Sequence, residues 1–103
     1  MNRIRGKNGL EADFHQQFPQ LAYTGHGEWI IRDEIGSMNP DFILPGTNKI
    51  IDLFGEMWHA EEDPQERIQR MNALGWNAII IWENDFKIHN AETLKLVSDF
   101  LFG

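Results

Sequence analysis

The feature that most constrains the fold is a strand–helix–strand pattern over residues 49–82. Residues 49–55 form an apolar run that predicts a strand, and residues 63–75 carry helix start and stop signals. Residues 77–82 read Asn-Ala-Ile-Ile-Ile-Trp and show no polar alternation, which is typical of a strand buried on both faces. Because a helical crossover between two strands is right-handed and leaves them parallel, the chain is expected to contain a sheet with a parallel pair.

The helix inside this unit has defined ends. Asp63 is expected as the N-cap, Pro64 as the first helical residue and Glu66 as the partner of a capping box. Gly75 follows the last turn and is expected to end the helix. The apolar side of the helix is formed by residues at helical spacing, namely Ile68, Met71 and Leu74.

The rest of the chain adds two helices and two strands. Residues 10–18 predict a short helix, and residues 27–32 and 40–45 predict the first and second strands. A turn at 46–48 makes the second strand an antiparallel neighbour of the third, and Asn90 is expected to cap a last helix. The predicted fold is therefore α/β (α+β) in the order αβββαβα, with a mixed four-stranded sheet and helices on both faces.

Length and charge limit the classes of protein. A chain of 103 residues supports one core, and the absence of cysteine leaves His, Asp and Glu as the metal ligands to consider. Nine Lys and Arg against sixteen Asp and Glu give a net charge of −7, which argues against an unaided nucleic-acid binder. No apolar run has the length of a membrane span or resembles a signal peptide, so an intracellular (cytoplasmic) location without a membrane partner is expected.

Acidic side chains inside apolar strands are the first candidates for chemistry. Asp41 and Asp52 each interrupt such a strand, where an ionised carboxylate is costly unless it is paired. The period of two places Asp52 and Glu56 on one face of the third strand, and His59 follows three residues later. This pattern predicts a site for a hard cation with a general base beside it.

Each candidate also has a structural explanation. Asp41 fits a turn or sheet edge, Asp52 an exposed edge position, and His59 a packed or surface histidine. Glu11 fits a solvated helix position, and Asp63 has a sufficient role as an N-cap. No G-x-S-x-G elbow and no Gly-rich phosphate loop occurs in the sequence, which argues against serine hydrolases and P-loop enzymes.

Three segments carry a resemblance to a known family: Pro-Asp-Phe at 40–42, Lys-Ile-Ile-Asp-Leu-Phe-Gly-Glu-Met-Trp-His at 49–59, and Leu-Gly-Trp followed by Ile-Ile-Ile-Trp-Glu at 74–83. Together they resemble the very-short-patch-repair (Vsr-like) endonucleases and their homing-endonuclease relatives with an E-D-x-H-D motif. Both belong to the PD-(D/E)xK nuclease superfamily. The resemblance covers roughly residues 10–86.

The resemblance implies a three-layer, restriction-endonuclease-like catalytic domain over residues 10–103 that cleaves DNA phosphodiester bonds with Mg²⁺ or Mn²⁺. Residues 1–9 are expected to be a basic, flexible lead-in or linker remnant. Double-stranded DNA is the expected partner, with a separate DNA-binding domain on the N-terminal side and a dimer where both strands are cut. No zinc is expected, because the cysteines of the family's structural zinc site are missing.

The resemblance also assigns roles to individual residues. Asp41 corresponds to the central metal ligand, assisted by the backbone carbonyl of Leu53. His59 corresponds to a candidate base or water-positioning group. Glu11 corresponds to the acidic residue of the first helix, and Asp63 to the last acidic residue of the E-D-x-H-D motif. The remaining candidates are expected to bind metal (Asp52, Glu56) or to contact DNA (Trp58, Arg3, Arg5, Lys7).

The sequence departs from the family at two positions. Phe54 stands where the mismatch-repair branch has a second histidine, and no lysine follows Asp52 at the superfamily spacing. Glu56 or His59 would have to substitute for that lysine. Two alternatives stay open: a non-catalytic DNA-associated or protein-interaction module on the same fold, and a hydrolase of small phosphoesters.

Overall fold

The computed structural model describes residues 7–27, 29–55 and 63–103. Its elements, in chain order, are α1 (Gly9–Gln17), β1 (Ala22–Tyr23), β2 (Ile31–Arg32), β3 (Ser37–Met38), β4 (Phe42–Ile43), β5 (Lys49–Phe54), α2 (Pro64–Ala73), β6 (Asn77–Trp82), α3 (Glu83–Ile88) and α4 (Asn90–Phe102).

A mixed four-stranded sheet forms the centre of this α+β domain. The strand order is β1-β4-β5-β6, with β4 antiparallel to both of its neighbours. Strands β5 and β6 are parallel, in a register that runs from Lys49 opposite Asn77 to Phe54 opposite Trp82. The predicted mixed sheet and its parallel pair are therefore confirmed.

Hydrophobic clusters lie on both faces of the sheet, because alternate residues of β5 point in opposite directions. Ile51 and Leu53 belong to a cluster that also contains residues of α1, α3 and α4. Ile50 belongs to a second cluster, which contains Met71 of α2 and Met38 of β3. The predicted helices on both faces are thus present, and the ends of β4 and β5 lie between them.

The predicted strand at 27–32 is wrong in extent and in place. Among its described residues, only Ile31 and Arg32 form a strand, and they pair with Ser37 and Met38 in a separate two-stranded ribbon. The strand that occupies the first position of the main sheet is β1, Ala22–Tyr23. The ribbon forms because Ile31 and Met38 are buried in the second cluster, on the same side as α2.

The ribbon is fixed at both ends. The Asp33 carboxylate accepts hydrogen bonds from the backbone of Ile35 and Gly36, which closes its turn. Arg70 of α2 then makes a two-pronged contact with the same carboxylate, at 2.8 Å and 2.7 Å. At the base, the amide Nδ2 of Asn39 donates to the carbonyl oxygens of Thr24 and Trp29.

Helix ends follow the sequence signals in part. Asp63 caps α2 as predicted, but its side chain accepts from the backbone N–H of Gln65, one residue earlier than a capping box requires. Gly75 adopts φ +93° directly after the helix, a conformation that favours glycine. Asn90 is not the cap of α4; it is the first helical residue, and its Nδ2 donates to the carbonyl of Phe86.

Helix α3 was not predicted, so the observed element order is longer than αβββαβα. Strand β6 also differs from the prediction, because it lies at the edge of the described sheet. Ala78 and Ile81 are buried, whereas Ile79, Ile80 and Trp82 are only half-buried.

In the described part of the chain, no helix is long and apolar enough to cross a membrane.

Candidate functional site

A cleft of about 880 Å³ opens where β5 ends, between α1, α2 and the start of α3. Its described lining includes four acids and one cation, namely Glu11, Asp41, Asp52, Glu83 and Arg67. Four of the predicted site residues, Glu11, Asp41, Asp52 and Leu53, are therefore brought together here.

Asp41 is positioned by the β4–β5 pair. It follows Pro40 directly before β4, and its Oδ2 accepts a hydrogen bond of 2.8 Å from the backbone N–H of Leu53. Its own backbone N–H donates to Oδ1 of Asp52 at 3.1 Å. Since the N–H and C=O of a residue in an extended strand point to the same edge, the Leu53 carbonyl also faces the Asp41 side of β5.

Glu11 approaches Asp41 from α1. It is only 4% exposed, and its Oε1 accepts from the backbone N–H of Asn8 and from the hydroxyl of Tyr23, both at 3.0 Å. Asn8 caps the helix in return by accepting from the Glu11 backbone N–H, so the two residues form a capping box. The Glu11 carboxyl is buried and lies close enough to Asp41 to influence its pKa, so it is not the solvated helix residue of the alternative interpretation.

The surroundings of Asp41 raise its pKa to about 8. Burial is the largest cause, because it disfavours the ionised form, and the nearby charge of Asp52 adds to it. The hydrogen bond from Leu53 acts in the opposite direction, and the Glu11 carboxyl raises the pKa further. Two neighbouring buried carboxyls repel one another when both are ionised, and a bound cation would relieve this repulsion.

Asp52 has a different set of contacts from the one expected of a metal ligand. It is 2% exposed, and its Oδ2 lies 2.6 Å from Nε of Arg67. Its other oxygen accepts from the backbone of Asp41. It is therefore a buried counterion that ties α2 to the chain before β4, and the alternative of an exposed edge residue is wrong.

Arg67 is the functional candidate that the sequence analysis missed. Besides the ion pair with Asp52, its Nη2 reaches the carbonyl of Asn39 at 3.3 Å, and its guanidinium lies 5.9 Å from the ring centre of Phe54. A signal was available: a buried carboxylate needs a cation, and Arg67 lies one helical turn before the buried Met71.

The remaining predicted residues fall elsewhere. Asp63 is exposed at the N-cap of α2 and is not among the residues lining the cleft. Lys7 is exposed, with its Nζ 2.9 Å from Nδ1 of His15. Five predicted residues lie outside the described part of the chain: Arg3, Arg5, Glu56, Trp58 and His59. Residues that the sequence analysis did not select but that reach the site are Asn8, Tyr23, Asn39 and Glu83.

Within residues 7–27, 29–55 and 63–103, no group of three or more His, Asp or Glu side chains is arranged to hold a metal ion. The donor set that this part of the chain offers is the Glu11–Asp41 carboxyl pair together with the carbonyl of Leu53. All three are oxygen donors, which is the type that Mg²⁺ and Mn²⁺ accept. Mg²⁺ usually keeps several waters, so two carboxyls fit it without a full protein cage.

Comparison of the chain with protein-family models, with curated proteins and with solved structures finds no match.

Proposed function

We propose that this chain is the catalytic domain of a divalent-metal-dependent DNA endonuclease with a Vsr-like, restriction-endonuclease-like core. The observation that carries the proposal is the Glu11–Asp41 carboxyl pair beside Leu53. The three residues come from α1, from the Pro-Asp step before β4 and from β5. The resemblance assigns Asp41 and the Leu53 carbonyl to the metal and Glu11 to the acidic residue of the first helix, and we propose that Glu11 also contributes to the metal site.

The role of the protein in this proposal is to hold a cation and to position it. Asp41 is fixed by its bond to Leu53, and Glu11 is fixed by Asn8 and Tyr23, so neither carboxyl needs to be ordered when a cation binds. A bound Mg²⁺ supplies Lewis-acid polarisation of a phosphodiester. His59 stays the proposed base or water-positioning residue, and Glu56 a proposed additional ligand.

The wider assignment is part of the same proposal. A net charge of −7 disfavours tight DNA binding by this domain alone, so a separate DNA-recognition domain, as in homing endonucleases, is proposed to deliver it to double-stranded DNA. A dimer is proposed only for cleavage of both strands.

The test is plasmid cleavage with Mg²⁺, by the chain alone and by a fusion to its upstream region where one exists. We expect Asp41→Asn to lower the rate by at least about 100-fold, because removing a ligand removes stabilisation of the transition state. Asn is a suitable replacement because it keeps the size of Asp, and its amide oxygen can accept the hydrogen bond from the Leu53 N–H.

The matched control is Asp99→Asn, which removes an exposed carboxylate paired with Lys95 on α4 and should leave cleavage unchanged. Wild-type cleavage by Asp41→Asn, or its persistence in excess chelator, would refute the proposal. A wild-type protein that neither cleaves nor binds a divalent ion would instead support the interaction module. Cleavage of a chromogenic phosphodiester without cleavage of plasmid would support the small-phosphoester hydrolase.

A further inference from the structure

We propose that Arg67 is the residue of this cleft that binds a phosphate of the DNA backbone next to the cleavage site. This inference rests on the proposed function and extends it to a residue that neither the motif nor the resemblance selected.

The charge of the cleft motivates the proposal. Among the described residues that line it, Arg67 is the single cation, against the carboxyls of Glu11, Asp41, Asp52 and Glu83. A phosphodiester that enters the cleft carries negative charge and meets carboxylates on most sides. A cation held at Glu11 and Asp41 would attract one phosphate of the backbone. Arg67 is the remaining described group of the cleft lining that attracts an anion.

The guanidinium is already oriented for such a contact. Its Nε is held by the buried Asp52 at 2.6 Å, and Phe54 lies beside it at 5.9 Å, so the side chain loses little freedom on binding. Its side chain is 13% exposed, which leaves access from the cleft. A planar, always-charged fork matches phosphate geometry better than an ammonium group does.

One of the present contacts of Arg67 is weak enough to be exchanged. The distance from Nη2 to the carbonyl of Asn39 is 3.3 Å, slightly beyond the usual range for such a bond. A bond to a charged phosphate oxygen is shorter and roughly twice as strong as a neutral one. Phosphate is therefore expected to replace the Asn39 carbonyl at Nη2, while the ion pair with Asp52 stays in place.

Arg70 provides an unusually close control. It lies three residues further along α2, and it also makes an ion pair with an aspartate, Asp33, at 2.7 Å. Asp33 belongs to the ribbon, and neither Asp33 nor Arg70 is among the described residues lining the cleft. A structural effect of losing an ion pair on α2 should appear at both pairs, whereas an effect on phosphate binding should appear only at Arg67.

The experiment compares two double variants, Asp52→Asn with Arg67→Gln and Asp33→Asn with Arg70→Gln. Each replaces an ion pair by neutral amides of similar shape, which avoids leaving a buried carboxylate without its partner. Binding of a fluorescent DNA duplex is measured in Ca²⁺ over a range of salt concentrations, so the readout does not depend on cleavage. Asp52→Asn alone, with Arg67 retained, controls for loss of the Asp52 charge.

We expect the Asp52/Arg67 double variant to bind the duplex at least about 10-fold more weakly. The slope of log K against log salt concentration should become shallower by about 0.9, the value for one lost phosphate contact. The Asp33/Arg70 variant and Asp52→Asn should keep the wild-type slope. The inference would be overturned if both double variants had the same salt slope or lost the same amount of DNA affinity. It would also be overturned if the wild-type protein showed no measurable binding. Salt-dependent binding through Arg67 without any plasmid cleavage would overturn the proposed nuclease and leave Arg67 as an anion-binding residue.

Discussion

A single residue, Asp41, is expected to make the free energy of unfolding depend on pH, because its surroundings raise its pKa. In the folded protein its pKa is raised to about 8, whereas in the unfolded chain it returns to the ordinary carboxyl range. The folded state therefore holds a proton that the unfolded state releases. The associated stability is fully present below the ordinary carboxyl pKa and is lost as the pH rises to about 8.

Asp41→Asn should remove this dependence, because Asn resembles the protonated acid at every pH. In chelator, the free energy of unfolding of the variant relative to wild type is expected to rise between pH 5 and about pH 8, with a slope approaching about 1.4 kcal/mol per pH unit. Denaturant unfolding at several pH values measures it. The hydrogen bond from Arg70 lowers the pKa of Asp33, so the stability contributed by Asp33 is lost only at more acidic pH. It therefore does not affect the measurement between pH 5 and about pH 8. A constant difference across this range would contradict the assigned environment of Asp41.

At the scale of single elements, α2 links three features of the fold. Asp63 begins the helix, Arg67 reaches the cleft, and Arg70 holds the ribbon. The predicted catalytic role of Asp63 and its role as a cap can be separated by substitution, because Asn caps a helix as well as Asp does but carries no charge.

Asp63→Ala is expected to lower the free energy of unfolding by about 1 kcal/mol, and Asp63→Asn by only a few tenths. We further expect Asp63→Asn to cleave plasmid like wild type, because Asp63 is exposed and does not line the described cleft. Thermal unfolding and the plasmid assay check the two parts. A stable Asp63→Asn variant without cleavage would place Asp63 in the chemistry, as the resemblance implies.

At the scale of the whole molecule, net charge and the cleft have opposite consequences for a nucleic-acid partner. Sixteen acidic residues against nine basic ones repel DNA, and the cleft concentrates four of the acids. A divalent ion at Glu11 and Asp41 would offset the charge of these two carboxylates and would allow a phosphate to approach. Binding and cleavage are therefore both expected to depend on the ion.

DNA affinity of the isolated chain should rise at least about 10-fold on changing from chelator to a non-cleaving divalent ion such as Ca²⁺, because the ion offsets the charge of the Glu11 and Asp41 carboxylates. Fluorescence anisotropy with a short duplex measures it. Asp41→Asn should abolish the gain, and Asp99→Asn should preserve it. Equal affinity of the wild-type protein with chelator and with ion would contradict the expectation.

Local signals and hydrophobic periodicity are enough to predict several features of this fold. The unbroken run at 77–82, the cap at Asp63 and the glycine at 75 were sufficient for β6, α2 and the parallel pair with β5. The costly position of Asp41 and Asp52 in apolar strands also pointed to the cleft. Local patterns are reliable there because each residue is constrained mainly by its neighbours in the chain.

Contacts between residues that lie far apart in the sequence depend on the three-dimensional fold. Two-residue strands such as β1 carry too few residues for a pattern, and the run at 27–32 joined a ribbon because Ile31 and Met38 pack towards α2. The different contacts of the two aspartates also depend on the fold: Asp52 in β5 pairs with Arg67, and Asp41, directly before β4, lies beside Glu11. Partners that lie 15 and 30 positions apart in the sequence leave no local trace, since their attraction acts only after the sheet and helices have brought them together.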